Sequence, residues 1–229
     1  MHLEVVFKIL SAINNAGIKQ VILEKKENSV LIRCADESKS VIVFSEMEGS
    51  FIDETIGVHR ISTLFDRMKL FDCEKAKVTT TAFEGGATKA ITIKEGRKRV
   101  SFTCAKPDTI EAPSGMVNDE IVNTIVINKE RVDEILKAIL ALNPEYVSLE
   151  GDGDDILIKL FDGVSDNFTD IIGTNTSGSW SNHWKKEHLV KLLRQATKSN
   201  DEVMLGIGKH GILYIEVDEI TFMLRPQAV

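Results

Sequence analysis

Ile9-Leu10-Ser11-Ala12-Ile13 recurs as Ile135-Leu136-Lys137-Ala138-Ile139, and Val21-Ile22-Leu23-Glu24 recurs without a gap as Val147-Ser148-Leu149-Glu150. The offset is 126 residues, and it also carries Val30-Leu31-Ile32-Arg33 onto Ile156-Leu157-Ile158-Lys159. One register therefore spans a helical stripe and two β-rich runs, which chance similarity rarely achieves. Such a repeat points to a function that needs a repeated surface rather than a single cleft.

At 229 residues and 43% hydrophobic content, the chain has room for two domains. The register places the first copy at 1–105, a connector with Pro107, Pro113 and Gly115 at 106–120, and the second copy at 121–229. Val6, Ile9, Leu10 and Ile13 form an i, i+3, i+4, i+7 stripe, so a helix is expected over 2–16. Strands follow at 19–24, 29–35, 40–46 and 56–59, then a helix at 60–70 and strands at 75–83, 88–95 and 97–105. The second copy gives a strand at 121–127, a helix at 129–142 with Asn128 as N-cap, and strands at 146–150, 155–161 and 167–174. A loop of small residues from Thr176 to Ser179 leads into a helix at 185–199, and strands at 202–207, 212–217 and 219–225 close the chain. Runs of strands with two helices per copy indicate an α+β fold: two tandem domains of antiparallel sheet, each with its helices on one face.

No apolar run approaches the roughly 20 residues that span a bilayer, and Met1-His2-Leu3-Glu4 lacks the basic start of a signal peptide. An intracellular protein with no membrane partner is expected. Cys34, Cys73 and Cys104 are odd in number and lack C-x-x-C spacing, so neither a disulfide frame nor a zinc site is expected.

The net charge of -7 argues on average against a polyanion partner. Its distribution argues the other way. The four helical stretches hold twelve basic residues against six acidic ones, which leaves the remainder strongly acidic. The twelve are Lys8; Arg60, Arg67 and Lys69; Lys129, Arg131 and Lys137; and Lys185, Lys186, Lys191, Arg194 and Lys198. Glu187, Lys191, Arg194 and Lys198 recur at i, i+4, i+7 and i+11, opposite the stripe of Leu189, Leu192, Leu193 and Ala196. A charged helix face is ordinary solubilising surface, but four such faces side by side would make a basic wall that attracts phosphates without reading bases. Aromatic residues are only 6% and are not interleaved with the helix lysines, so duplex is a better ligand than stacked single strand.

Other signals are set aside on chemical grounds. Gly206-Ile207-Gly208-Lys209-His210-Gly211 lacks the spacing and following helix of a phosphate loop, and reads as a hairpin turn. Glu150-Gly151-Asp152-Gly153-Asp154-Asp155 has the wrong order for an EF-hand and aligns by the repeat with the turn at 25–28. His183 and His188 miss the one-face ligand spacing. No nucleophile, base and orienter can be assembled, so neither a catalytic residue nor a cofactor or metal is expected.

A duplicated α+β chain with basic helices, an acidic remainder, a proline-containing connector and a β-rich end at 202–225 resembles the two-domain sliding clamps of DNA replication, the T4-type phage processivity factors and proliferating cell nuclear antigen. The resemblance implies a non-enzymatic processivity factor: a head-to-tail homotrimer closed around duplex DNA, with the helices lining the hole and the twelve basic residues facing DNA. A phage origin would place it in the cytoplasm of a bacterial host. The strand at 97–105 would pair with the strand at 167–174 of the next subunit, with Arg97, Lys98 and Arg99 facing Asp162, Asp166 or Asp170. DNA polymerase and clamp loader are the implied partners, docking near the connector and around Leu224, Arg225 and Pro226. Another reading, of the same internal symmetry, is a monomeric accessory protein that grips one side of duplex DNA without encircling it; a duplicated hydrolase is a third.

Overall fold

The computed structural model describes residues 1–115 and 119–228, with the backbone alone at Ser199. In chain order the elements are α1 (Leu3–Asn15), β1 (Val21–Lys25), β2 (Ser29–Ala35), β3 (Val41–Glu48), β4 (Ile56–Val58), α2 (Ile61–Met68), β5 (Lys77–Ala82), β6 (Thr88–Glu95) and β7 (Lys98–Thr103). A 3-10 turn at Pro107–Thr109 follows. Then come β8 (Ile121–Asn128), α3 (Lys129–Leu142), β9 (Tyr146–Asp152), β10 (Asp155–Phe161), β11 (Asn167–Thr174), β12 (Trp180–Lys185), α4 (Lys186–Ser199), β13 (Glu202–Gly208), β14 (Leu213–Val217) and β15 (Ile220–Leu224). The fold is α+β. Among the described residues no helix is long and apolar enough to cross a membrane.

The 126-residue register extends well beyond the three blocks that reveal it. It carries Ser29–Ala35 onto Asp155–Phe161 and Val41–Glu48 onto Asn167–Thr174, residue for residue. It also carries the pairing: Ile22↔Arg33 becomes Ser148↔Lys159, Ile22↔Gly57 becomes Ser148↔His183, and Val30↔Met47 becomes Ile156↔Gly173. Strand β12 is the second copy's equivalent of β4, and the sequence reading placed no strand there. Its alternation is weak, because Trp184 alone among its residues is buried. Lys185 accordingly ends a strand instead of opening a helix.

Two compact units result: Met1–Met116 with Asp218–Ile220, and Val117–Val217 with Thr221–Val229. In the first, the strands run β5-β6-β4-β1-β2-β3, with β7 on β6. Neighbours are antiparallel apart from the single parallel contact Ile56↔Thr88. Helices α1 and α2 pack together; Val6, Ile9, Leu10 and Ile13 of α1 and Ile61, Leu64, Phe65 and Met68 of α2 are buried, and the rings of Phe7 and Phe65 stack at 4.8 Å.

In the second unit β15-β14-β13-β8 forms one ladder and β11-β10-β9-β12 another. Helices α3 and α4 touch strands of both ladders, so their apolar stripes fill the space between them. At the meeting point a cavity of about 10 Å³ is lined by Ile127, Val132, Ile135, Leu149, Ile158, Ile172, Leu189, Leu193, Leu205 and Leu213. A wholly apolar void of that size offers water no partner and stays dry. Asn128 caps α3 as its position suggests, its Oδ1 accepting from the backbone N of Arg131 at 2.9 Å.

Candidate nucleic-acid interface

Burial of one stripe turns the other face of each helix to solvent. On α4, Leu189, Leu192, Leu193 and Ala196 are buried, while Lys191, Arg194 and Lys198 are exposed. At about 1.5 Å per residue these three cations form a ridge roughly 10 Å long. The excess positive charge belongs to the second helix of each copy. Around α1 and on α3 acids and bases cancel; α2 with Arg60 is positive by two, and α4 with Lys185 by four.

Local partners divide the twelve basic residues further. Lys8 pairs with Glu4 at 3.0 Å, one helical turn away, and the Glu4 hydrogen bond and charge hold its ammonium above the usual lysine range. Lys69 pairs with Asp66 at 3.0 Å and lies 4.1 Å from the centre of the Phe65 ring. Arg67 donates to the carbonyl of Ser101 at 3.1 Å. The guanidinium carbons of Arg60 and Arg67 stand 5.6 and 5.7 Å from the Phe102 ring centre, so this buried aromatic is a shared platform for both. Arg131 is held by Glu134 at 2.8 Å and by Asp170. Lys186 donates to Asn143 Oδ1. Among the described residues, the side chains of Lys129, Lys137, Lys185, Lys191, Arg194 and Lys198 have no such partner, and all six lie in the second copy.

Strands β7 and β11 each leave one edge unpaired, as do β5, β8 and β12 among the described residues. Among the described residues, β7 pairs along its length with β6 alone and β11 with β10 alone. On β7 and its turn, Arg97 and Arg99 are exposed, whereas Lys98 is drawn back to Glu95 at 3.5 Å and the Leu70 carbonyl at 3.2 Å. On the β11 side Asp166 is exposed, but Asp170 is engaged within its own chain by Arg131. Asp162 is also committed: the backbone N–H groups of Val164, Ser165 and Asp166 converge on Oδ1, holding its carboxyl below the usual range. Sequence reasoning overlooked the apolar content of this edge. Phe161 at the end of β10, Val164 in the turn and Ile171 on β11 are 56%, 84% and 55% exposed; for Phe161 and Ile171 the available signal was an apolar residue at a strand position whose neighbours point inward.

The connector segment is fastened within each unit separately. In the first, Ile110 is buried against Gly57, whose missing Cβ would stand 3.0 Å from Ile110 Cδ1, and Arg33 donates to the Pro113 carbonyl at 3.1 Å. Arg33 is itself paired with Glu24 at 2.8 Å. In the second, the carboxylate of Asp119 is 1% exposed. Its Oδ1 accepts from His210 N at 3.0 Å and faces His210 Nδ1 at 2.8 Å, while Tyr214 donates to the Asp119 carbonyl at 3.2 Å. The hairpin that superficially suggested a phosphate loop is thus the seat of a connector residue. Of the expected docking residues, Leu224 is a core side chain, 1% exposed, whose carbonyl accepts from Trp184 Nε1 at 3.2 Å; Arg225 is exposed and Pro226 half-buried.

The chain has a fold like that of PCNA. It matches a structure of the C-terminal region of FEN-1 bound to A. fulgidus PCNA with a TM-score of 0.72, covering 100% of this chain and 97% of that one at 17% identity. PCNA from Entamoeba histolytica matches with a TM-score of 0.71 over 99% and 96% of the two chains at 14% identity. The PCNA2–PCNA3 complex from Sulfolobus tokodaii gives 0.69 over 100% and 98%, also at 14% identity. No protein-family model matches the sequence, and no curated protein matches it.

Proposed function

We propose that this chain is a DNA sliding clamp, a non-enzymatic processivity factor that closes into a head-to-tail homotrimer around duplex DNA and tethers a polymerase. The observation that carries the reading is a clamp fold over the whole chain with a basic ridge on the solvent face of α4. A tether that encloses its track keeps hold topologically, so each phosphate contact can be weak and mobile. A ring is closed by heterologous contacts, for which β7 and the strand β11 of the next subunit supply free edges. Phe161, Val164 and Ile171 would give that junction its apolar centre, with Arg97 and Arg99 set against Asp166. FEN-1 bound to one PCNA and PCNA2 joined to PCNA3 support the expectation of partner proteins and self-association. Polymerase and clamp loader are expected to dock where the connector is fastened and beside Arg225 and Pro226.

The test is retention on DNA of different topology, combined with mass by light scattering. A trimer that stays on nicked circular DNA in high salt and is lost when the circle is linearised is the expected result. A monomer that leaves both forms equally would refute the ring and favour the open, one-sided accessory protein.

A further inference from the structure

We infer that each subunit grips the duplex backbone through α4 of its second copy, and that α1 and α3 add almost nothing. The inference rests on the clamp reading above and specifies its binding face.

Three observations carry it. First, the acids and bases around α1 and on α3 cancel, so neither attracts a polyanion beyond the range of single contacts. Lys8 is paired with Glu4, and Arg131 with Glu134 and Asp170; Lys129 and Lys137 share the exposed face of α3 with Glu130 and Asp133. Second, the charge of α2 is anchored sideways. Arg60 and Arg67 lie over Phe102, and Arg67 also donates to Ser101, so reaching a phosphate costs them those contacts. Third, Lys191, Arg194 and Lys198 are exposed, unpaired among the described residues, and in line on one face. Phosphates of one strand recur about every 3.4 Å along the axis, so a ridge of roughly 10 Å matches about three of them. A ring of three such chains would then hold DNA through three helices, one α4 from each.

Two variants of matched charge separate the helices. One carries Lys191→Gln, Arg194→Gln and Lys198→Gln on α4; the other carries Lys8→Gln, Lys129→Gln and Lys137→Gln on α1 and α3. Each removes three positive charges, so the change in net charge is the same. The probe is a short fluorescent duplex, and the readout is the slope of log affinity against log salt, with mass and thermal melting measured alongside. Each phosphate contact contributes about 0.9 to that slope, so the α4 variant is expected to flatten it by about 2 to 3 and the other by less than about 1. Equal flattening by both variants, with trimers intact, would overturn the inference and leave the clamp standing. Wild-type protein that shows neither salt-dependent binding nor retention on circles would remove both.

Discussion

Replacing Gly208 by alanine tests the Asp119 clasp directly. Gly208 is not among the residues of positive φ, so alanine alone should stabilise by about 0.4 to 1 kcal/mol through the unfolded chain. The site forbids it. A Cβ at 208 would stand 2.0 Å from Asp119 Oδ2, 2.5 Å from Cγ and 3.3 Å from Oδ1, and no other atom comes closer than these three. The carboxylate must withdraw, and its bonds from His210 N and Nδ1 go with it. Hydrogen bonds to a charged group contribute about 1.5 to 3 kcal/mol, and the exposure of His210 keeps the second of the two at the low end. A net destabilisation of about 2 kcal/mol follows. In an Asp119→Ala background the obstacle is gone, so Gly208→Ala should become neutral or slightly stabilising, giving a coupling of about 2 to 3 kcal/mol. Urea unfolding of the wild type, both single variants and the double variant closes the cycle. A coupling below about 0.5 kcal/mol would show that the carboxylate does not occupy the space left by Gly208.

In the proposed trimer, placing charge on the apolar edge with Phe161→Asp and Ile171→Lys should shift the mass toward monomer without lowering the melting temperature, since both side chains are more than half exposed; an unchanged mass would exclude this edge as the junction. Burial raises all three cysteine thiols, Cys104 up to about 12, but Cys73 is only half-buried while the other two are buried, so an aromatic disulfide reagent at pH 8 should label Cys73 first and reach the others only on unfolding. Acid should destabilise the fold. The Lys26 hydrogen bond and the Arg33 charge lower Glu24, and the N-terminal ammonium lowers Asp53. A carboxylate depressed in the folded state contributes stability above its unfolded value, near 4, and loses it as pH falls through the folded value. Asp53→Asn should therefore flatten the acid limb of a urea-midpoint titration, and an unaltered limb would rule out that contribution.

Much of the fold is legible in the sequence because its signals are local or repeated. The Asn128 cap and the apolar stripe locate α3 at 129–142, and alternation within the repeat sets Ser29–Ala35 and Asp155–Phe161 to the residue. Strand β12 escapes because Trp180-Ser181-Asn182-His183-Trp184-Lys185 buries one side chain, although Ile56–Val58 carried forward by 126 would have found it. The basic helix faces are also legible, since helical spacing decides which residues share a side. Their local ion pairs, Glu4 with Lys8 and Arg131 with Glu134, are legible for the same reason, but the long-range contacts are not. Arg131 meets Asp170, Arg67 meets Ser101, and Asp119 meets a hairpin 91 residues away, contacts that depend on sheet register and on the glycine left bare at 208. Leu224 shows the same limit in reverse, for a leucine near the end of the sequence reads equally well as exposed anchor or as core.

The free edges of β7 and β11 are unlike strands, so any union between them is directional. In the proposed ring each added copy would consume one end and regenerate it, and growth would stop only where the last end meets the first. A few degrees at that junction would separate a finite object from an endless one. In the ring proposed above, a substitution confined to the turn beside β7 would then change the size of the assembly while leaving the fold of each copy intact.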